Sequence, residues 1–300
     1  MIWVYTVQEN GFVATDLTSL SNLMEIASNN WVWIDIFDPS EKELEIISEL
    51  FGNEPEIVEK FKKMMDAPLN VRLNDSMLFN YKMIHEFGSV TIPSISLDEK
   101  MLVYPIVLVK KKKMIITWGE EGHSHSKIIK TTIRKLRDGV EVGQDLNSSL
   151  VISILFHEVA IKNSNVLLRI RERIDEVEEQ ALEKGGKHLM HSVFRLKRMI
   201  SDLYRLMIKE KDFMLDVDKS VIPLIYFDKK SKPIVAEAME IIDREIDFMD
   251  SYTRTLDSIL TLQDLASIHK VEASINYLTI VLVIGTAILV ALEIIAFLEH

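Results

Sequence analysis

The sequence predicts an α+β fold: an N-terminal α/β domain with a mixed sheet, then a helical hairpin, then one very long helix. Three observations support it. Strand and helix patterns alternate over residues 1–145, and two helix patterns separated by Gly185-Gly186 follow over residues 146–220. After Pro233 there is no further proline. We expect a stalk helix over residues 233–274 that continues into a transmembrane helix over residues 275–298.

The N-terminal domain is predicted from short runs of strand and helix spacing. Met1–Thr6 and Gly11–Thr15 predict a hairpin, and the apolar run Trp31–Phe37 predicts a buried strand. Ser40 is expected to cap the next helix, with Glu43 completing a capping box. The remaining predicted elements are strands at Val71–Ile84, Leu102–Val109 and Met114–Trp118, and helices at Leu17–Ala27, Glu41–Phe51, Glu54–Met65 and His125–Asp138.

The two helices of the hairpin are predicted from apolar spacing. The first begins at Asn147 or Ser148 and ends at Glu183, and the second runs from His188 to Asp216. Apolar residues fall on one face of the second helix: Leu189, Val193, Leu196, Ile200, Leu203 and Met207. The glycine pair between the helices predicts that they run antiparallel.

The long helix begins at Pro233, a normal residue for a first helical turn. At about 1.5 Å per residue it would be roughly 100 Å long, more than a core of this size needs, so we expect it to leave the globule. Two apolar series repeat every seven residues, Ile242, Met249 and Leu256 beside Ile246, Thr253 and Leu260. This coiled-coil spacing predicts either self-association or packing on neighbouring helices.

A membrane span is predicted at the end of the chain. The run INYLTIVLVIGTAILVALEIIAF is interrupted only by Asn276, Thr279, Thr286 and Glu293, and about 20 such residues cross a bilayer. His269 and Lys270 precede the run and no Lys or Arg follows it. We therefore expect contact with membrane lipid, a cell-membrane location and an N-terminal domain in the cytoplasm.

Composition excludes several classes of function. The net charge of −11 argues against nucleic acid as a partner, and the absence of cysteine excludes disulfides and thiolate sites. The start of the chain has no signal-peptide pattern. His157-Glu158 is followed by Ile161 where a zinc protease would need a second histidine, and the pairs His123/His125 and His188/His191 are most simply ordinary surface residues. We expect no enzyme.

An aspartate series is the sharpest candidate site. It repeats every seven residues as Asp243, Asp250, Asp257 and Asp264. In a single helix it would be a solvated stripe, whereas in several copies around an axis it would form rings that guide hydrated Mg²⁺. The face continues into the span, where Asp264 and Leu278 lie within about 40° of each other. The predicted pore-lining residues are Leu278, Leu282, Thr286, Leu289 and Glu293; Glu293 faces a lumen or lies at the headgroup level.

The order of these parts resembles the CorA-type divalent-cation transporters over nearly the whole chain. The matching segments are WVWIDIFDPSEKELEIISELFG, LVYPIVLVKKKKMIITW and SIHKVEASINYLTIVLVI. The resemblance implies a homopentamer whose long helices line a pore for Mg²⁺, with Co²⁺ and Ni²⁺ as further substrates. It also implies gating by intracellular Mg²⁺ at acidic subunit interfaces. By position it makes Leu278 a pore constriction, Thr286 a second pore-lining site, and Glu237 with Glu240 metal-sensing carboxylates.

The chain also departs from the pattern of that family. Ala296-Phe297-Leu298 stands where the family has Gly-Met-Asn, Glu272 stands at a position usually held by asparagine, and the end of the chain resembles the start of an expression tag. These features predict a truncated or divergent member. The alternatives are a single-span, membrane-tethered oligomeric interaction protein, a Zn²⁺ transporter of the same family, and a soluble metal-regulated or enzymatic domain.

Overall fold

The computed structural model describes residues 2–8, 11–16, 31–37, 39–50, 82–84, 87–97, 101–111, 114–119, 123–141, 147–183, 187–219 and 226–298. The chain divides into two compact units, Met1–Ile170 with Met199–Asp250 and Arg171–Arg198 with Ser251–His300. The four sequence domains proposed above stay a prediction. The predicted helices at Leu17–Ala27 and Glu54–Met65, and the predicted strand at Val71–Ile84 before its last three residues, lie outside the described residues.

A mixed sheet forms the centre of the first unit, as predicted. Its seven described strands are β1 (Ile2–Gln8), β2 (Gly11–Asp16), β3 (Val32–Phe37), β4 (Lys82–Ile84), β5 (Phe87–Leu97), β6 (Met101–Lys111) and β7 (Met114–Gly119). They lie in the order β2-β1-β3-β7-β6-β5-β4. The pair β3–β7 is parallel, and the other neighbouring pairs are antiparallel.

The predicted strand in WVWIDIF is one of the central strands, and its one acidic residue is accommodated by hydrogen bonds. Trp33 and Ile36 are completely buried, as expected for a strand covered on both faces. Asp35 is buried beside Thr117 of β7, whose hydroxyl donates to the Asp35 carboxylate at 2.6 Å. The same hydroxyl accepts a hydrogen bond from the Trp33 indole at 2.9 Å. The buried carboxylate is therefore paired, as its burial requires.

Strand β5 is not among the elements predicted from the sequence. Its interior contains Pro93, which normally argues against a strand. Pro93 lies directly opposite Pro105 of β6. Directly opposed residues of an antiparallel pair exchange two N–H···O bonds or none, and proline has no N–H, so this pair belongs to the second kind. Neither proline therefore removes a hydrogen bond between β5 and β6.

The first described helix begins at the predicted N-cap, and one of the two hydrogen bonds of a capping box is present there. Helix α1 covers Glu41–Leu50. The Ser40 N–H donates to the Glu43 carboxylate at 2.7 Å, and the Ser40 hydroxyl donates to the same oxygen at 2.8 Å. Burial acts to raise the pKa of Glu43, but the hydrogen bonds from Ser40 outweigh it and the pKa is lowered. The carboxylate is therefore ionised at the positive end of the helix.

Four longer helices follow: α2 (His123–Glu141), α3 (Ser148–Glu183), α4 (Lys187–Asp218) and α5 (Lys232–Leu298). In the first unit α3 and α4 run antiparallel, because Phe156 contacts Phe213 and, further along α3, Asn163 contacts Glu210. This confirms the predicted hairpin, and the apolar face predicted on α4 is buried. In the second unit the buried core includes Ile174 of α3, Val193 of α4 and Ile259 of α5.

Candidate functional site

Helix α5 carries every residue predicted for the ion path, and its first turn is fixed to the start of α3. The Asp228 carboxylate accepts hydrogen bonds from the Ser231 N–H at 2.8 Å and from the Asn147 side chain at 2.8 Å. The Ser149 hydroxyl donates to that of Ser231 at 3.0 Å. Burial acts to raise the pKa of Asp228, but the hydrogen bonds from Ser231 and Asn147 lower it overall. An ionised Asp228 thus caps α5.

The apolar series of α5 is buried within a single chain. Ile242, Met249 and Leu256 are each 0 % exposed. The neighbouring Ile246, Thr253 and Leu260 are half-buried. The sequence left two interpretations open, self-association or packing on neighbouring helices. The burial of the series within one chain supports packing on neighbouring helices of the same chain.

The aspartate series lies on the exposed side of α5, and two of its members form ion pairs with α4. Asp243 pairs with Lys211 and Asp257 pairs with Lys197, and these two carboxylate side chains remain 50 % and 54 % exposed. Asp250 and Asp264 are exposed as well. The four carboxylates therefore share a solvent-facing stripe, and their role in an ion path stays a prediction.

Four of the predicted pore-lining residues, Leu278, Leu282, Thr286 and Leu289, are exposed on α5. Leu278, Leu282 and Leu289 are 64 %, 71 % and 64 % exposed. The Thr286 hydroxyl donates to the Leu282 carbonyl at 2.8 Å, and the Thr279 hydroxyl donates to that of Ile275 at 2.8 Å. Both hydroxyls are therefore satisfied inside the helix, which a lipid surrounding requires. The helix includes Glu293, whose side chain lies outside the described part of the chain.

Two described helices are long and apolar enough to cross a membrane. In α3 the apolar window is 78 % buried, as in the core helix of a soluble domain. In α5 the window is 0 % buried and has a mean hydropathy of 2.1. The unburied window of α5 is consistent with the predicted span.

Glu237, one of the two predicted metal-sensing residues, lies beside a buried polar cluster that the sequence did not reveal. His157 of α3 is 5 % exposed, and its Nε2 lies 3.4 Å from Glu237 Oε2. Lys135 of α2 lies 2.6 Å from the Glu158 carboxylate and 3.3 Å from His157 Nδ1. His157 therefore lies between charged groups of two other helices, Lys135 on α2 and Glu237 on α5.

The Glu158 carboxylate is the charged member of this cluster. Burial acts to raise its pKa, but the hydrogen bonds from His157 and Lys135, with the charge of Lys135, lower it overall. Glu240, the second predicted metal-sensing residue, is exposed on α5. The only signal for this cluster in the sequence is a His-Glu pair on an otherwise apolar stretch of helix.

Of the other histidines in the sequence analysis, the side chains of His123, His125 and His188 lie outside the described part of the chain. His123 and His125 lie in the first turn of α2, and His191 is exposed on α4. Among the described residues, no three His, Asp or Glu side chains are close enough to hold a metal ion together.

Comparison with known proteins identifies relatives that match most of the chain. The family model of the CorA-like Mg²⁺ transporter protein matches residues 28–295. The cobalt/magnesium transport protein CorA of Methanocaldococcus jannaschii is 20 % identical over 274 residues, 88 % of this chain and 79 % of that protein.

Two solved structures have the same fold. The complete structure of the CorA magnesium transporter from Methanocaldococcus jannaschii matches with a TM-score of 0.72 at 14 % identity, covering 94 % of this chain and 82 % of the other. The full-length CmaX protein matches with a TM-score of 0.69 at 12 % identity, covering 93 % and 81 %. The predicted fold class is thereby confirmed, and the long C-terminal helix is part of it.

Proposed function

The chain belongs to the family of CorA-like Mg²⁺ transporter proteins, and from this premise we propose that it is a subunit of a homopentameric Mg²⁺ channel. Members of this family are divalent-cation transporters of membranes and not enzymes, in agreement with the expectation from the sequence. One observation carries the proposal: α5 continues without a break from its capped start, past the aspartate series, to an apolar stretch that the described part of the chain leaves exposed.

The aspartate series would attract and guide the ion. Five copies of Asp243, Asp250, Asp257 and Asp264 around one axis would form four rings of carboxylates. Mg²⁺ gives up its water reluctantly, so carboxylates that contact the hydration shell suit it better than a closed protein cage. At Asp243 and Asp257 the ion would compete with a lysine ammonium. Asp250 and Asp264 are exposed on the same helix.

The apolar end of α5 would form the pore itself. Leu278, Leu282 and Leu289 would form constrictions that gate by excluding water, and Thr286 would offer a hydroxyl between them. Glu293 would return a negative charge to the far end of the pore. Co²⁺ and Ni²⁺ would pass as well, because both are small divalent cations.

Regulation by intracellular Mg²⁺ would use the carboxylates near the start of α5. Glu237 is 67 % exposed, although it lies beside the buried His157. Glu240 is exposed one turn further along the helix. Both could therefore meet a cation held between subunits, on the cytoplasmic side of the membrane.

Uptake of Mg²⁺ into lipid vesicles that contain the purified chain tests this function. We expect uptake by the unaltered protein, and a loss on the order of tenfold when Asp250 and Asp264 are both changed to Asn, because the local cation concentration falls. Asp247→Asn removes a charge from the same helix outside the series and should have little effect. Faster uptake of Zn²⁺ than of Mg²⁺ would indicate a zinc transporter of the family.

The second candidate is a membrane-tethered oligomeric interaction protein. The ion pairs Asp243–Lys211 and Asp257–Lys197 favour it, because they give these two aspartates a role inside one chain. It predicts a stable oligomer in detergent together with no uptake of any divalent cation by the vesicles.

A further inference from the structure

Glu210 of α4 is a fully buried carboxyl group that no part of the proposed transport mechanism uses. Its side chain is 0 % exposed, and its Oε2 accepts one long hydrogen bond, from the Asn163 side chain at 3.3 Å. Within the part of the chain that the structure describes, its Oε1 has no hydrogen-bond partner. One amide contact does not compensate a carboxylate for the loss of its water, so the ionised form is strongly disfavoured here.

Two ion pairs lie close to Glu210 and Asn163. Ser164, next to Asn163 on α3, donates to the Glu245 carboxylate of α5 at 2.8 Å, and Arg244 neutralises that carboxylate at 3.2 Å. Lys211, which follows Glu210, pairs with Asp243. Of the other charged residues adjacent along the chain to Glu210 and Asn163, Lys209 is exposed and Lys162 is half-buried.

We propose that Glu210 is a proton-binding site: the folded chain holds a proton on this carboxyl at neutral pH, and losing it at alkaline pH loosens the packing of α3 against α4. A proton is the ligand that fits, because a protonated carboxyl carries no charge and can itself donate a hydrogen bond. The site makes the helical core sensitive to pH, and it stands independently of ion transport.

The direction of the pH effect follows from the burial. Burial raises the pKa of Glu210 to about 8, and the hydrogen bond from Asn163 opposes this only in part. In the unfolded chain the pKa is ordinary, about 4.3. Between these two values the folded chain holds a proton that the unfolded chain releases, so stability falls as the pH rises through this window and levels off above it.

Thermal unfolding of the full chain in detergent tests the proposal. Between about pH 6 and about pH 9 we expect the Tm of the unaltered protein to fall by on the order of 5 °C more than that of Glu210→Gln, which stays neutral throughout. Asp212→Asn, a matched change at an exposed position of the same helix, should keep the pH dependence of the unaltered protein. Equal pH slopes for the unaltered protein and Glu210→Gln would overturn the proposal.

Infrared spectroscopy of the unaltered protein tests it without any variant. We expect the C=O band of a protonated carboxylic acid at about pH 7, where ordinary carboxyls are ionised, and its disappearance above the raised pKa. The absence of this band at about pH 7 overturns the proposal even if Glu210→Gln does not fold. Neither measurement requires that the vesicles take up Mg²⁺.

Discussion

The Lys135 ammonium is the cation that makes the burial of Glu158 tolerable. Removing one partner of a buried ion pair leaves the other charge uncompensated, and this usually costs several kcal/mol. Lys135 itself is 40 % exposed, so part of its charge is already screened by water. We therefore expect Lys135→Met to lower the free energy of unfolding by about 1–3 kcal/mol, measured by denaturant titration.

A matched control is Lys130→Met, an exposed lysine on the same helix, which should change stability by less than about 0.5 kcal/mol. The pH dependence gives a second readout. The lowered pKa of Glu158 adds stability above its ordinary pKa, and that stability is lost as the pH falls. In Lys135→Met, the free energy of unfolding should therefore decrease less as the pH is lowered. Equal stability of the two lysine variants would show that the pair does not matter.

At the residue scale the sequence could predict contacts within one turn of chain but not across the fold. Ser40 and Glu43 lie three positions apart, and the hydrogen bond from the Ser40 N–H to the Glu43 carboxylate that a capping box requires is present. The residues that contact His157 lie on α2 and α5, so no pattern of neighbouring residues in the sequence predicts them. A zinc protease would need a second histidine at position 161, where this chain has Ile161; His157 instead belongs to a polar cluster with Lys135 and Glu158.

The start of α5 is the element whose capping can be tested most directly. Asp228 accepts the Ser231 N–H and the Asn147 side chain, so Asp228→Ala should lower the free energy of unfolding by about 1–2 kcal/mol. Its lowered pKa means that this stability is present at neutral pH and is lost as the pH falls below the ordinary value. Denaturant titrations at neutral and acid pH would measure both effects.

Lys229→Ala, at an exposed position of the same turn, is the control and should be nearly neutral. If Asp228→Ala were equally neutral, the network would not stabilise the junction of α3 with α5. At this scale the described helices and most described strands were predictable, because their apolar periods are long and clear. Strand β5 was missed because the effect of Pro93 depends on the residue opposite, which the sequence does not reveal.

At the scale of the whole molecule, Mg²⁺ should stabilise the assembled protein. A ligand that binds only the folded assembly adds about 1–3 kcal/mol at saturating concentrations. We expect Mg²⁺ to raise the Tm of the unaltered oligomer, and Asp250→Asn, Asp257→Asn and Asp264→Asn together to reduce that rise. Differential scanning fluorimetry in detergent, with the oligomer followed by light scattering, measures both.

A control with the same loss of charge combines Asp175→Asn, Glu176→Gln and Glu179→Gln, all exposed on α3. It should respond to Mg²⁺ as the unaltered protein does. A Tm that is the same with and without Mg²⁺ in the unaltered protein would contradict the proposed path. An equally reduced rise in Tm in the control would also contradict the proposed path, because it would indicate only general charge screening.

The long helix was predictable at this scale. The residues that contact its apolar series and its aspartate series were not. Spacing alone could not say whether Ile242 and Met249 face a second copy, and their burial within one chain answers this. The sequence does contain a signal for the lysine partners of the aspartate series. Lys197 and Lys211 are separated by two heptads, as are Asp243 and Asp257. Which divalent ion passes depends on hydration and pore radius, which residue spacing does not encode.

The opposed prolines of β5 and β6 also restrict the register in which these two strands can pair. Along an antiparallel pair, bonded and unbonded positions alternate. If β5 shifted by one residue along β6, either Pro93 or Pro105 would come to lie at a hydrogen-bonded position. Proline has no N–H to donate there. Single-residue slips are also those that turn a strand's side chains to the wrong face. Residues usually regarded as strand breakers thus exclude the misalignments that would do most harm during folding.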